Sequence, residues 1–185
     1  MKRFALILLS CIICSISVKA QDSDQVYFYG IDFSEVKVIA ADESEHDFAE
    51  AFSAINLLML TEKEKYDFSK VLELPVIPYP DVMIEQSRIN DYSKMKLYRY
   101  QREDIDLLGK IKSYKLSHDS GIGLMLIACV LDKSTGYATY EAVLFDIETR
   151  KLLNNNRVTA KAGGFGLRNF WARTVYNLTL RERLF

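Results

Sequence analysis

The residues with the clearest potential for chemistry lie in a glycine-rich stretch near the end of the chain, residues 161–173. This stretch holds three of the eight glycines and the only tryptophan. Backbone N–H groups at the start of a helix, with an arginine beside them, could hold an anion or a carboxylate. Glycines equally let a chain turn sharply and bring a helix close to a sheet, and we favour this architectural role. The candidate ligand-binding residues are Gly163, Gly164, Gly166 and Arg168.

The spacing of these glycines excludes a nucleotide-binding loop. The pattern G-x-G-x-x-G could start at Gly164, but Asn169 stands at its third glycine position. A dinucleotide site also needs a further strand and an acid about twenty residues later, and the chain ends too soon after Gly166 for both. No Walker A pattern occurs anywhere in the sequence. We therefore expect no nucleotide cofactor.

Other reactive residue types are few and scattered. His46 and His118 are the only histidines and form no H-E-x-x-H pattern, so no zinc site is expected. His118 precedes Asp119 and Ser120, but adjacent side chains point in different directions, which favours a solvated loop over a triad. Cys129 lies within an apolar run, which is typical of an inert core thiol. Three distant acids could pair only if folding brought them together: Asp32, Asp146 and Glu148. The sequence thus predicts no catalytic site, no metal and no cofactor.

The start of the chain has the layout of a secretory signal peptide. Lys2 and Arg3 precede an apolar run, and Val18-Lys19-Ala20 supplies a cleavage site before Gln21. We predict a signal peptide at residues 1–20 and one domain at 21–185. Leu8-Leu9-Ser10-Cys11 loosely resembles a lipobox, so lipidation at Cys11 is the alternative that would give membrane association. The expected location is periplasmic or outer-membrane-associated.

Composition narrows the possible partners. The chain has 24 basic and 25 acidic residues. Cleavage of residues 1–20 would remove basic residues but no acidic ones. The exported chain is then mildly acidic, which argues against a nucleic-acid partner. Cys129 would be its only cysteine, so the core must hold the fold without an internal disulfide. Eleven tyrosines are present, a residue type found both at binding surfaces and at core margins.

The hydrophobic pattern predicts a mixture of strands and helices. Residues 26–40 favour one kinked strand or two short strands, and residues 44–60 a helix with apolar residues three and four apart. The three prolines within residues 75–80 exclude a central strand there. A second amphipathic helix is expected from about residue 105 to 114. Three strands then follow at Gly123–Leu131, Tyr137–Asp146 and Lys151–Ala160.

These elements predict an α+β fold of β-α-(β)-α-β-β-β-α order. The short turns between the last three strands favour an antiparallel meander within a mixed or antiparallel sheet. We expect a two-layer sandwich with the helices packed on one side. The final helix should begin near Leu167 and place these residues on the sheet: Leu167, Phe170, Trp171, Val175 and Leu178.

The order of the elements resembles that of the TolB N-terminal domain and of the outer-membrane assembly lipoproteins of the lipopolysaccharide-transport type. The resemblance covers residues 26–60 and 121–183. It lies mainly in the closing unit of three strands and a tryptophan-bearing helix. The string Ala162-Gly163-Gly164-Phe165-Gly166-Leu167-Arg168-Asn169-Phe170-Trp171 is also similar to the closing motif of uncharacterised exported bacterial proteins. The resemblance implies an envelope protein and carries over no catalytic residue.

Together these observations favour a non-enzymatic exported envelope protein. We expect an adaptor or assembly factor that binds a protein or a lipid-linked partner. The alternative is a small anionic-ligand-binding module at the glycine turn near Arg168.

Overall fold

A computed structural model describes residues 25–80, 83–84, 94–99 and 101–185. The predicted signal peptide and Cys11 lie outside these residues. The helices are α1 (Glu45–Thr61), α2 (Ser69–Leu72), α3 (Leu107–Ser113) and α4 (Leu167–Thr179). The strands are β1 (Val26–Asp32), β2 (Lys37–Ile39), β3 (Val76–Pro78), β4 (Lys96–Leu97), β5 (Ile122–Asp132), β6 (Tyr137–Asp146) and β7 (Leu152–Lys161). The predicted α+β class is confirmed.

The long strand β5 lies at the centre of one sheet. On one side it pairs antiparallel with β6, and β6 pairs antiparallel with β7. On its other side β5 pairs in parallel with both β1 and β2. Strand β5 is buried over nearly its whole length because both of its edges are paired and an apolar cluster lies on each of its faces. Its nearly continuous apolar sequence is the consequence.

Strands β1 and β2 lie end to end along the same edge of β5. Strand β1 pairs with Ile122–Ile127 of β5, whereas β2 pairs with Val130–Asp132. The chain leaves the sheet between them at residues 33–36, so the segment forms two strands rather than one. On the outer side, β3 pairs with β1 and β4 pairs with β2, both in parallel. The described part of the sheet is therefore mixed, with most of its strands running parallel to β5.

An irregularity within β1 is held by the side chain of a helix residue. The register between β1 and β5 shifts between Phe28 and Ile31, and Gly30 there has φ +89°. The fully buried Asn56 of α1 accepts a hydrogen bond from Ile31 N at 2.8 Å and donates one to Ile31 O at 2.9 Å. A Cβ at Gly30 would lie 2.6 Å from Asn56 Oδ1. The glycine and the asparagine thus fix the strand and the helix together.

Helix α1 begins where the sequence predicts it. Ser44 is the N-cap, and it forms a reciprocal capping box with Asp47, which is the third residue of the helix. The side-chain and backbone hydrogen bonds of Ser44 hold the pKa of the Asp47 carboxyl below its ordinary value. Helix α1 packs on α4, and both contribute buried side chains to the same apolar cluster.

Two apolar clusters lie on opposite faces of the sheet. The first face carries Leu124, Leu126 and Ala128 of β5 and is covered by α1 and α4. The second face carries Met125 and Ile127 of β5, and it is covered by Ile111 of α3. The helices therefore do not all lie on one side as expected. Helix α3 has only seven residues and covers part of the second face.

Candidate functional site

The second face changes character along the strands. Near α3 it is apolar and closed, with Val143 and Phe145 of β6 fully buried. Further along β6, Glu141 is 6% exposed and its Oε1 lies 2.5 Å from Nε of Arg157 on β7. Arg157 also donates to the carbonyl of Glu103 at 3.2 Å, which ties the segment before α3 to the sheet. This ion pair separates the apolar part of the face from a part that no described helix covers.

Beyond the ion pair lies a hollow of about 710 Å³, called here the hairpin hollow because it lies beside the β5–β6 turn. The carboxyl ends of the parallel strands β2, β4 and β5 meet at this edge of the sheet. Ligands of open α/β sheets bind outside the carboxyl ends of parallel strands. The hollow is lined by Ile39, Tyr98, Arg99, Gln101, Val130, Asp132, Ser134, Thr135, Tyr137, Thr139 and Thr159.

Two tyrosines line the hairpin hollow from opposite parts of the sheet. Tyr98 directly follows β4 and is fully exposed. Tyr137 is the first residue of β6 and is 43% exposed. Large aromatic side chains with so much free surface offer contact area and a polar tip to a partner. These two tyrosines are the strongest indication that the hollow is a binding site.

The polar groups of the hairpin hollow are mostly hydroxyls. Thr139 on β6 and Thr159 on β7 share a hydrogen bond of 2.9 Å across the strands. Asp132 Oδ1 accepts hydrogen bonds from Ser134 N at 2.9 Å, Ser134 Oγ at 2.6 Å and Thr135 N. Burial acts to raise the pKa of Asp132, but these hydrogen bonds hold it below its ordinary value. Asp132 therefore shapes the turn and stays ionised, which makes it unsuited to act as a general acid.

Cys129 lies on the second face at a register shift between β5 and β6. The thiol is 3% exposed and contacts the carbonyl of Ile127 at 3.6 Å. Burial raises its pKa to about 11, so almost no thiolate exists at neutral pH. An inaccessible, protonated thiol does not act as a nucleophile.

Asp32 is a buried carboxylate that links β1 to α3. Tyr114 donates a hydrogen bond to its Oδ2, and Lys110 Nζ lies 3.3 Å from the same oxygen. Its Oδ1 accepts a hydrogen bond from Ser34 N at 2.8 Å, and Lys110 also pairs with Glu35 at 2.9 Å. Burial and the negative charge of Asp32 both raise the pKa of Tyr114. Because both carboxylate oxygens have protein partners, this cluster is a structural link. The acids Asp146 and Glu148 do not take part in it.

His118 lies in a loop, but its ring is half-buried. Its ring stacks on Tyr27 with 3.8 Å between centroids, and its Nδ1 lies 3.0 Å from the hydroxyl of the buried Tyr29. Tyr79 contacts it edge-on. The predicted loop and the exposure of Asp119 and Ser120 agree with the structure, whereas the half-buried ring of His118 does not, because aromatic residues distant in the sequence converge on it. His46 is exposed and pairs with Glu50 at 3.3 Å along α1.

The predicted glycine turn joins β7 to α4. Gly164 has φ +106°, and a Cβ there would lie 3.3 Å from the carbonyl oxygen of Asn169. Gly163 N donates to the carbonyl of Phe170 at 3.0 Å, and Gly166, with φ +76°, is the N-cap of α4. These contacts match a turn that places the first residues of α4.

The surroundings of Arg168 oppose an anion at that turn. Arg168 is exposed and donates from Nε to Oδ1 of its neighbour Asn169 at 3.0 Å. The hollow that it lines, about 590 Å³, also contains three carboxylates: Glu43, Asp47 and Glu50. Glu43 is paired with Lys133 at 2.5 Å, but the charges of Asp47 and Glu50 would still repel a bound anion.

Helix α4 turns its apolar side to the first cluster. Trp171, Val175 and Leu178 are almost completely buried, and Leu167 and Phe170 pack at the margin of the cluster. The hydroxyl of buried Tyr140 and Thr174 Oγ1 lie 2.6 Å apart, which joins the helix to β6.

Among the described residues, no group of three or more His, Cys, Asp or Glu side chains is placed to hold a metal ion. Within the same residues, none of the helices has the length and apolar character needed to cross a membrane. Comparison of the chain with protein-family models, curated proteins and solved structures finds no match. The resemblance to the TolB N-terminal domain therefore stays a prediction.

Sequence reasoning did not find the hairpin hollow. Tyr98 and Arg99 belong to a polar stretch without a clear period, and Tyr137 follows a turn. The available signal was the number of tyrosines, but the sequence does not show that two of them line the same hollow. Parallel pairing of β4 with β2, which are far apart in sequence, creates the site.

Proposed function

We propose that this protein is an exported envelope adaptor or assembly factor that binds its partner at the hairpin hollow. The observation that carries the proposal is the pair of exposed tyrosines, Tyr98 and Tyr137, beside a hollow at the carboxyl ends of three parallel strands. Aromatic residues are enriched at interfaces and supply much of their binding energy. The partner is a protein or a molecule linked to a lipid.

A binding role accounts better than catalysis for the reactive residues. Asp32 has its oxygens occupied by Tyr114, Lys110 and Ser34. Cys129 is buried and protonated, and His118 is stacked on tyrosine rings. Each of these groups supports the fold, so we propose a non-enzymatic protein without a cofactor.

The proposed location is the periplasm or the outer membrane, with residues 1–20 removed as a signal peptide. We also propose that α1, α4 and the sheet form a two-layer frame, with α3 closing part of the other face. Sequencing the N-terminus of the protein isolated from cells tests the export proposal. Cleavage before Gln21 is the expected result. An intact Met1 contradicts the export proposal, and a chain that begins at Cys11 contradicts cleavage after residue 20 in favour of lipidation.

The alternative is a small anionic ligand at the glycine turn. It has the backbone N–H groups at the start of α4 in its favour, and the carboxylates of Asp47 and Glu50 against it. Thermal shift with phosphate and with dicarboxylates, on wild type and Arg168→Ala, separates the two sites. Stabilisation that disappears in Arg168→Ala would favour the turn over the hairpin hollow.

The main test is affinity purification from envelope extract with three forms of the protein. Wild type and Phe165→Ala should recover the same partner. Phe165 is also exposed, at 98%, but it lies in the glycine turn and does not line the hairpin hollow. The double variant Tyr98→Ala/Tyr137→Ala should recover it poorly, because both aromatic contacts are lost. Equal recovery by all three forms would refute the hairpin hollow as the binding site.

A further inference from the structure

The hairpin hollow has two aromatic side chains at separate strands. Tyr98 follows β4, whereas Tyr137 starts β6, and β2 and β5 lie between these strands in the sheet. An aromatic ring presents an apolar, electron-rich face with a polar edge. The C–H groups of a sugar ring are weakly positive and apolar, so a sugar can stack on such a face. Two rings on separate strands suit a ligand with more than one sugar unit.

The lining between the tyrosines matches the hydroxyl groups of such a ligand. Thr139, Thr159, Ser134 and Thr135 each carry a hydroxyl. Ser134 and Thr135 donate to Asp132, and Thr139 and Thr159 bond to each other, so these hydroxyl oxygens offer mainly acceptor sites to a ligand. Gln101 adds an amide, which has an acceptor oxygen and two donor hydrogens. A ligand with many hydroxyls can exchange its hydrogen bonds to water for bonds to these groups, directly or through bridging water.

The charge of the hairpin hollow favours a neutral ligand. Its lining contains one acid, Asp132, and one base, Arg99. The carboxylate of Asp132 is already bound by Ser134 and Thr135. A site for a polyanion would instead need several positively charged side chains at its surface.

The size of the hollow also fits. About 710 Å³ lies within the range of small-molecule sites, and the hollow is open to solvent rather than enclosed. An open hollow at the edge of a sheet allows a chain to enter and leave at its two sides. The ion pair of Glu141 and Arg157 closes only the side toward the apolar core.

We propose that the hairpin hollow binds a neutral glycan chain. Tyr98 and Tyr137 provide the stacking surfaces, and the hydroxyls of β6, β7 and the β5–β6 turn receive the sugar hydroxyls. This inference rests on the proposed function, because it names the chemistry by which the adaptor holds a glycan-bearing partner of the envelope.

The test uses the protein purified from the cells that export it. Its binding to immobilised oligosaccharides of three kinds is measured: neutral hexose chains, neutral N-acetylated amino-sugar chains and acidic chains. Wild type should retain at least one neutral kind. Tyr98→Ala and Tyr137→Ala should each weaken this binding roughly tenfold, which corresponds to the loss of one aromatic contact. Tyr98→Phe should bind as wild type does, because it keeps the stacking ring.

Phe165→Ala is the matched control, since it removes an exposed ring outside the hollow and should leave binding unchanged. The inference is overturned if wild type retains no neutral chain, if only acidic chains bind, or if Tyr98→Ala binds as tightly as wild type. If no chain binds but affinity purification still depends on Tyr98 and Tyr137, a protein surface occupies the hollow. The glycan inference then fails while the proposed function stands. If no chain binds and affinity purification does not depend on the two tyrosines, both the glycan inference and the proposed function are rejected.

Discussion

Replacing Asn56 by alanine tests how the frame of the site is held together. Asn56 is the only buried polar residue of α1. Both of its hydrogen bonds go to the backbone of Ile31. The bonds hold β1 at its irregularity, from which the chain continues to β2 and to the edge of the hairpin hollow. Asn56→Ala removes both bonds and leaves two buried backbone groups of Ile31 with fewer partners.

The expected loss follows from the burial of these groups. A buried polar group deprived of its partner costs about 1–3 kcal/mol. One donor and one acceptor are affected, and the carbonyl keeps a second lone pair, so we expect a loss of about 3 kcal/mol. For a domain of this size that corresponds to a decrease in the melting temperature of about 6–12 °C.

Urea unfolding followed by circular dichroism measures this loss. Thr61→Ala is the control on the same helix: its hydroxyl is exposed and bonds only to the carbonyl of Leu57. That variant should change the free energy of unfolding by less than about 0.5 kcal/mol. If Asn56→Ala is as stable as Thr61→Ala, the link between α1 and β1 does not hold the frame, and the reasoning is refuted.

Three further predictions concern the turn, the thiol and the pH dependence. Gly164→Val should lower stability by more than Gly136→Val, because both glycines have positive φ but only Gly164 has a backbone oxygen 3.3 Å from the added Cβ; equal melting temperatures would contradict this. Native Cys129 should not react with a thiol reagent at pH 8 and should react once the protein is unfolded, because burial raises the pKa of the thiol to about 11. The pKa of folded Asp132 is below its ordinary value of 3.8, so its stabilising effect is complete above pH 3.8 and is lost as pH falls through the folded pKa. The difference in unfolding free energy between wild type and Asp132→Asn should therefore shrink between pH 6 and pH 3, and a constant difference would count against the hydrogen bonds from Ser134.

Local signals explain why α1, α3, α4 and the last three strands were predictable. Ser44 and Asp47 mark the start of α1 in sequence and form its cap in the structure. The turns after β5 and β6 are short, so neighbouring strands had to pair with each other. In these cases the residues that determine the structure are close in the sequence.

Pairing between distant segments explains what the sequence could not predict. Strands β3 and β4 have three and two residues, too few to show a period, and each joins the sheet beside a strand far away in the sequence. The position of α3 on the second face depends on Tyr114 and Lys110 reaching Asp32, a contact that no local pattern indicates. The same long-range pairing brings Tyr98 to the hollow that Tyr137 lines.

In-cell photocrosslinking is the most direct test of the hairpin hollow as the binding site. A photoreactive phenylalanine analogue replaces Tyr98, Tyr137 or Phe165, one at a time, in the exported protein. All three side chains are exposed, so they differ mainly in position. We predict partner adducts from positions 98 and 137 and none from position 165. Adducts from position 165 alone would place the partner at the glycine turn and contradict the account.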